Sequence, residues 1–289
     1  MDVREGELLA DRDELRVVLL ADSEGLAATS SRLTRDAPSP PLHVHDRHAD
    51  CFLVLDGALR LDLAGEERIV GPQSWIQVPS GVVHTFGAAG DEPATFVNVH
   101  TPSRGLGTYM RALLTARSDE DRSRAWDGFD ARPAESGETD PASAAVVCRL
   151  GGEEGETITS RPGRRVTLLS DTEELAVSES VYGPGERGPD LHVHREHTDA
   201  WLVLEGTLTF RLRDDHWFEA PAGSLVIVPP HVAHGFSNEQ ETTARFLNLH
   251  APSCGFGEYM RGRNPAFDQH DPPADGGSDP GSVLVCTFS

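Results

Sequence analysis

The sequence has no lysine: all 25 of its basic residues are arginine. Without a side-chain amine, Schiff-base chemistry on the protein, including that of a pyridoxal-bearing lysine, is excluded. Positive charge is scarce in general, with 25 basic residues against 47 acidic ones and a formal net charge of −22. Such a chain repels phosphate backbones, which excludes nucleic-acid binding through a basic surface. Cysteine is sparse, at positions 51, 148, 254 and 286, and forms no C-x-x-C pair. A disulfide framework is therefore not expected, and Cys148 and Cys286, at matching places in two related halves, read as buried structural thiols. No apolar run approaches the roughly 18 residues of a membrane span. No charged-then-apolar segment opens the chain. The expectation is a cytoplasmic protein with neither nucleic-acid nor membrane partners.

Histidine stands out instead, and it is arranged twice over. Residues 42–59 read LHVHDRHADCFLVLDGAL and residues 191–208 read LHVHREHTDAWLVLEGTL. Each copy is followed by Pro-x-x-x-x-His, Pro79 to His84 and Pro229 to His234. Each of the five first-half histidines (His43, His45, His48, His84, His100) meets a histidine in the second (His192, His194, His197, His234, His250). A single long repeat marks a duplicated domain, not a solenoid. A chain of 289 residues accommodates two domains of about 145 residues each. The expected domains are 1–150 and 151–289.

Short strands dominate the pattern. Phe52-Leu-Val-Leu, Ala58-Leu-Arg-Leu-Asp-Leu, Ser74-Trp-Ile-Gln-Val and Thr95-Phe-Val-Asn-Val-His alternate or run apolar between Gly, Pro and Asp. Val283-Leu-Val-Cys-Thr-Phe reads as one more strand. Many short strands at this spacing predict an all-β sandwich or barrel in each half. Residues 108–127 have helical spacing of Met110, Leu113, Leu114 and Ala116. Residues 128–145, rich in Pro, Gly, Ser and acid, read as a loop. The matching helical segment of the second half, opened by Tyr259-Met-Arg, is cut short by Gly262 and Pro265.

Side chains two apart on a strand share a face. His43 and His45 therefore point together, as do His192 and His194. Asp50, Phe52 and Val54 share a face of the next strand, and His84 arrives from a third. Phe96, Asn98 and His100 share a face, as do Phe246, Asn248 and His250. A lone buried histidine is usually a hydrogen-bonded core residue. Here several share one interior, where each unpaired polar group costs about 1–3 kcal/mol against a net stability of about 5–15 kcal/mol. A cation removes that penalty and adds stability. Imidazole with carboxylate and no thiolate suits Fe(II), Mn, Co, Ni or Zn. Phe52 and Trp201 are either pocket walls or ordinary core.

These motifs resemble the cupin superfamily, in its two-domain (bicupin) form. The family's first motif is approximately G-x5-H-x-H-x(3,4)-E-x6-G and its second G-x5-P-x-G-x2-H-x3-N. The second half matches the latter at Gly223, Pro229, His234 and Asn238, with His231 in place of the second Gly. The first half has Pro79, Gly81 and His84, with Ala88 in place of the Asn. The resemblance implies two tandem jelly-roll β-barrels, a short helical segment after each, and one divalent transition metal per domain, Fe(II) first. His43, His45, His84 and His192, His194, His234 are the implied ligands. The family's glutamate falls at Asp50 and Asp199, one methylene shorter, so the fourth ligand is either these aspartates or His48 and His197. His100 and His250 either line the pocket as acid–base groups or cap a strand end. The motifs look most like those of quercetin-type dioxygenases. That implies an oxygenase taking O2 and a small enol, phenol or flavonol-like substrate, with Asp50/Asp199 or Glu196 as general base. The alternatives are a non-oxidative isomerase or decarboxylase, or a metal-dependent binding or sensor protein. The chain is expected to be a monomeric pseudo-dimer or a homodimer.

Overall fold

A computed structural model describes residues 3–134, 144–213 and 216–288. It divides into two compact units, residues 6–153 and residues 154–289 joined by the N-terminal residues 1–5. Arg4 belongs to the second unit because its backbone N–H donates to the Val285 carbonyl at 2.8 Å, next to Cys286. Half of the predicted loop at 128–145, residues 135–143, lies outside the described residues.

The first unit is built from two antiparallel sheets. The larger runs, in spatial order, Glu7–Asp11, Leu15–Asp22, Ala27–Leu33, Ala94–Thr101, Ala49–Asp56, Ser74–Val78 and Val146–Arg149. The smaller runs Arg132–Pro133, His43–Val44, His84–Ala88, Leu59–Leu63 and Glu66–Val70. The alternation of Leu59-Arg-Leu-Asp-Leu directs all three leucines inward. They pack against Phe52, Val54, Ile76 and Phe96 of the larger sheet in one apolar cluster. The second unit repeats the seven-stranded sheet, from Glu156–Arg161 to Leu284–Thr287, and opposes it with Trp217–Pro221, Thr207–Leu212 and His234–Ser237. Its core includes Trp201, Phe210, Phe246 and Tyr182. Phe52 and Trp201 are thus core residues, each fully buried.

Register at the site is set by a turn only glycine can make. Gly57 and Gly206 have φ of 64° and 71°. A Cβ there would lie 2.1 Å from the Pro93 carbonyl oxygen and 2.3 Å from that of Thr243. These turns close the strands that carry Asp50 and Asp199. The thiols of Cys148 and Cys286 are buried on the last strand of each large sheet.

The helical segment of the first unit is two helices, Leu106–Thr115 and Asp119–Asp127, where the periodicity predicts one. Ser118 separates them by accepting the Asp121 N–H at its side chain, an N-cap that starts a new helix. Among its described residues the second unit has one short α-helix, Phe256–Met260, and a 3-10 turn at Pro280–Ser282. No helix among the described residues is long and apolar enough to cross a membrane.

Candidate metal centres

In each unit three imidazoles and one carboxylate converge. His43, His45, His84 and Asp50 offer ligand atoms within 4.8 Å of one another, as do His192, His194, His234 and Asp199. All eight side chains are buried. Strand pairing explains the convergence: His43 lies opposite His84, and His192 bridges to His234.

The backbone fixes which ring nitrogen faces inward. Nδ1–H of His43 donates to the Pro41 carbonyl at 2.8 Å, that of His45 to Asp130 O at 2.7 Å, and that of His84 to Val82 O at 2.9 Å. His192 donates likewise to Asp190 O at 2.7 Å, His194 to Asp268 O, and His234 to Val232 O at 2.9 Å. A carbonyl only accepts, so in all six rings the proton sits on Nδ1 and the Nε2 lone pair points to the centre.

Those lone pairs have no protein donor to meet. Nε2 of His45 and of His234 is buried without a hydrogen-bond partner. Nε2 of His192 and of His194 lie 3.1 Å apart, lone pair against lone pair. Asp50 Oδ2 is 3.2 Å from His84 Nε2 and 3.8 Å from His45 Nε2. Asp199 Oδ2 is 3.2 Å from His194 Nε2 and 3.5 Å from His234 Nε2. Acceptors crowded in this way fit a cation, and three imidazoles with a carboxylate fit a divalent transition metal.

Burial alone would raise the Asp50 and Asp199 carboxyls. The facing imidazoles, led by His100 and His250 respectively, outweigh it and hold both well below the usual carboxylate range. Burial also pushes His43 well below the ordinary histidine value and takes His192 down to about 3, with the neighbouring imidazoles adding to it.

His48 and His197 belong to adjoining groups that overlap the first: His45, His48 and His100 in one unit, and His194, His197, Asp199 and His250 in the other, each with ligand atoms within 4.8 Å of one another. His48 Nδ1 bonds Asp130 Oδ2 at 2.9 Å, and its Nε2 is 3.0 Å from His100 Nδ1. His100 Nε2 in turn lies 3.0 Å from Asn98 Oδ1 and 3.3 Å from Asp50 Oδ1. The second unit repeats the series. His197 Nδ1 bonds Asp268 Oδ2 at 2.9 Å, and its Nε2 is 3.2 Å from His250 Nδ1. His250 Nδ1 is 2.7 Å from Asp199 Oδ1. Burial, opposed by the aspartate, takes His100 and His250 to about 4. Glu196 is exposed and stands outside these groups.

Asp130 and Asp268 escape the sequence pattern. Each holds one ligand histidine through its carbonyl and the adjoining histidine, His48 or His197, through its carboxylate. Asp268 also accepts the backbone N–H of Arg195 at 3.0 Å and of Glu196 at 2.7 Å. The signal is the dipeptide Phe-Asp at 129–130 and 267–268, displaced from the repeat offset because the preceding segment is shorter in the second half. Truncating the Asp268 side chain frees His197 and the Arg195 and Glu196 N–H groups, while the backbone carbonyl that holds His194 stays in place. Asp268→Ala is expected to lower metal affinity of the second site by about 10-fold at most, the low end of the range for lost outer partners, because His194 keeps its carbonyl acceptor, as read by competition with a chelator.

The family's second-motif asparagine has a structural role here. Asn238 Nδ2 donates to the carbonyls of Tyr182, Gly183 and Thr242 at 2.9, 3.0 and 2.7 Å. His231, at the place of the motif's second glycine, holds the same left-handed turn (φ 67°) that Gly81 makes in the first unit (φ 84°). In the second unit a cavity of about 250 Å³ opens onto His192, His194, Asp199 and His250, with Phe236, Phe256 and Tyr259 among its walls.

Comparison with known proteins agrees with this architecture. The family model described as "Cupin domain" matches twice, at residues 32–100 and 178–250. The chain is 24% identical over 259 residues to a quercetin 2,3-dioxygenase of Bacillus subtilis, covering 81% of this chain and 76% of that one. Oxalate decarboxylase of Bacillus subtilis, solved at pH 4.6, superposes with a TM-score of 0.55 at 20% identity, over 88% of this chain and 77% of that one. A variant of that decarboxylase gives 0.57 at 20% identity, over 88% and 78%. Two matched domains, two β-barrels and two buried histidine clusters make this chain a two-domain cupin.

Proposed function

We propose that the chain is a metal-dependent oxygenase acting on a small enol, phenol or flavonol-like substrate, with one divalent cation in each unit. His43, His45, His84 and Asp50 would hold one, and His192, His194, His234 and Asp199 the other. Fe(II) is the first choice of metal. The cation supplies Lewis acidity toward an ionised substrate oxygen and, where redox-active, a path for electrons to O2. Everything else falls to the chain. The locked Nδ1–H tautomers keep the ligand rings from rotating. Phe236, Phe256 and Tyr259 supply apolar walls to the cavity. Asp199 stays ionised and orients His250, whose imidazole is neutral at pH 7 and lies where a substrate hydroxyl proton would be taken up. Asp50 and His100 have the same relation in the first unit.

The observation that carries this reading is the shared wall. Two ligand histidines, an ionised carboxylate and a neutral imidazole all line one cavity in the second unit. The similarity to a quercetin 2,3-dioxygenase favours O2 as co-substrate. The similarity in fold to oxalate decarboxylase favours a second reading, non-oxidative decarboxylation with the same residues. Protein loaded with metal without oxygen separates them. Oxygen uptake on a flavonol and diketone panel is the expected result. Carbon dioxide release under argon, with no uptake in air, would establish the second reading.

A further inference from the structure

The two units differ at a cross-strand pair beside the second unit's cavity. In the second unit Arg164 lies opposite Tyr182, its guanidinium carbon 4.7 Å from the phenol ring centre. Both line the cavity that ends at His192, His194 and Asp199. In the first unit the same register pairs Leu15 with Leu33, and both belong to the apolar packing of that unit. One unit therefore places a cation and a phenol where the other places two isobutyl groups.

The cation is only half neutralised. Arg164 Nη1 is 3.6 Å from Glu186 Oε1, but Arg161 grips both oxygens of that carboxylate, with Nη1 at 3.0 Å from Oε2 and Nη2 on Oε1. Arg164 Nη1 also donates to the Arg187 carbonyl at 3.2 Å, and Arg164 is the one permanently cationic side chain among the described residues that line the cavity, which it shares with Asp199. Arg164 Nε is buried and has no hydrogen-bond partner, a donor left unmade that a bound acceptor would satisfy. The Ser178 and Ser180 side chains line the same space. The first site is dressed differently. Its helix Asp119–Asp127 sets Trp126 edge-on against the ligand ring of His43, centroids 5.6 Å apart.

We propose that the second site alone takes a substrate bearing a carboxylate besides its phenol or enol oxygen, and that Arg164 binds that carboxylate. This rests on the metal-dependent reading of the same site. A guanidinium offers parallel N–H donors to a carboxylate, and a neutral amide of the same shape forfeits the charge-assisted part. The cavity, about 250 Å³, is smaller than the roughly 300–1,000 Å³ of pockets for drug-sized ligands, so the partner is a small molecule.

The probes are 3- and 4-hydroxybenzoate against the corresponding hydroxybenzamides, titrated by calorimetry into zinc-loaded protein, which does not turn over. One hydroxybenzoate per chain is expected, bound at least about tenfold tighter than the amide. Arg164→Leu and Arg164→Gln should each abolish that preference while keeping both metal equivalents and the wild-type circular dichroism. Equal affinity for acid and amide in the wild type, two acids bound per chain, or a preference that survives in both variants would overturn the assignment. If metal-free wild type keeps the full preference, Arg164 is upheld and the metal-held substrate of the proposed function is what fails.

Discussion

Replacing His84 or His234 with alanine should each remove one metal equivalent from a chain that holds two, and the double variant should hold none. Each histidine contributes one Nε2 to a buried set of four ligand atoms and pairs across strands with another ligand. Truncation leaves two imidazoles and a carboxylate around a site open on one side. Loss of an outer partner already costs about 10–100-fold in affinity, so loss of a ligand should exceed that range. Elemental analysis of protein purified without added metal gives the count directly. Turnover separates the two sites further. With the carboxylate-binding Arg164 confined to the second unit, His234→Ala should lower activity by more than about 100-fold, whereas His84→Ala should keep most of it. Two equivalents retained in either variant would remove that histidine from the ligand set. Equal loss of activity in both would remove the division of labour.

Much of this site is legible in the sequence because strand parity is a strict rule. The H-x-H pairs, the aspartate counted back from the turn glycine, and the Asn98–His100 and Asn248–His250 pairs all lie on the faces that the period of two assigns. Register supplies the rest: His100 faces Asp50 across paired strands, as His250 faces Asp199. Parity cannot rank His48 against Asp50, since both fall on the inward face. In the structure Asp130 Oδ2 bonds His48 Nδ1 and Asp50 Oδ2 turns toward His84, while His48 still groups with His45 and His100. Asp130 itself arrives from beyond a helix that one half has and the other lacks, so no constant offset reveals it. The Arg164/Leu15 difference stands in plain view in the aligned copies. It acquires meaning only when the cross-strand partner and the cavity wall are known. The division of residues 106–127 into two helices was hidden by composition, because residues on both sides of Ser118 favour helix and a single capping hydroxyl sets the break.

Stripping the metal should cost the protein several kcal/mol of stability, through the same tautomers that build the site. With every Nδ1 proton committed to a carbonyl, the three Nε2 lone pairs of each cluster face one another and a carboxylate, not a protein donor. Protonating the rings is an escape; burial opposes it at His43 and His192, whereas at His194 burial is outweighed by the Asp199 carboxylate, which favours the proton. Each buried acceptor without a donor costs about 1–3 kcal/mol. A cation bound only by the folded state restores about 4 kcal/mol when its free concentration is a thousandfold above Kd. For domains of 150–250 residues each kcal/mol moves Tm by about 2–4 °C, so chelator-treated protein should melt roughly 10 °C lower, and re-addition of the metal should reverse the shift. Scanning calorimetry of wild type, His84→Ala and His234→Ala localises the effect, since each variant should respond to chelator through its intact site only. A metal-free protein that melts at the temperature of the loaded one would mean that the clustered imidazoles satisfy one another unaided, and the case for two resident cations would fall with it.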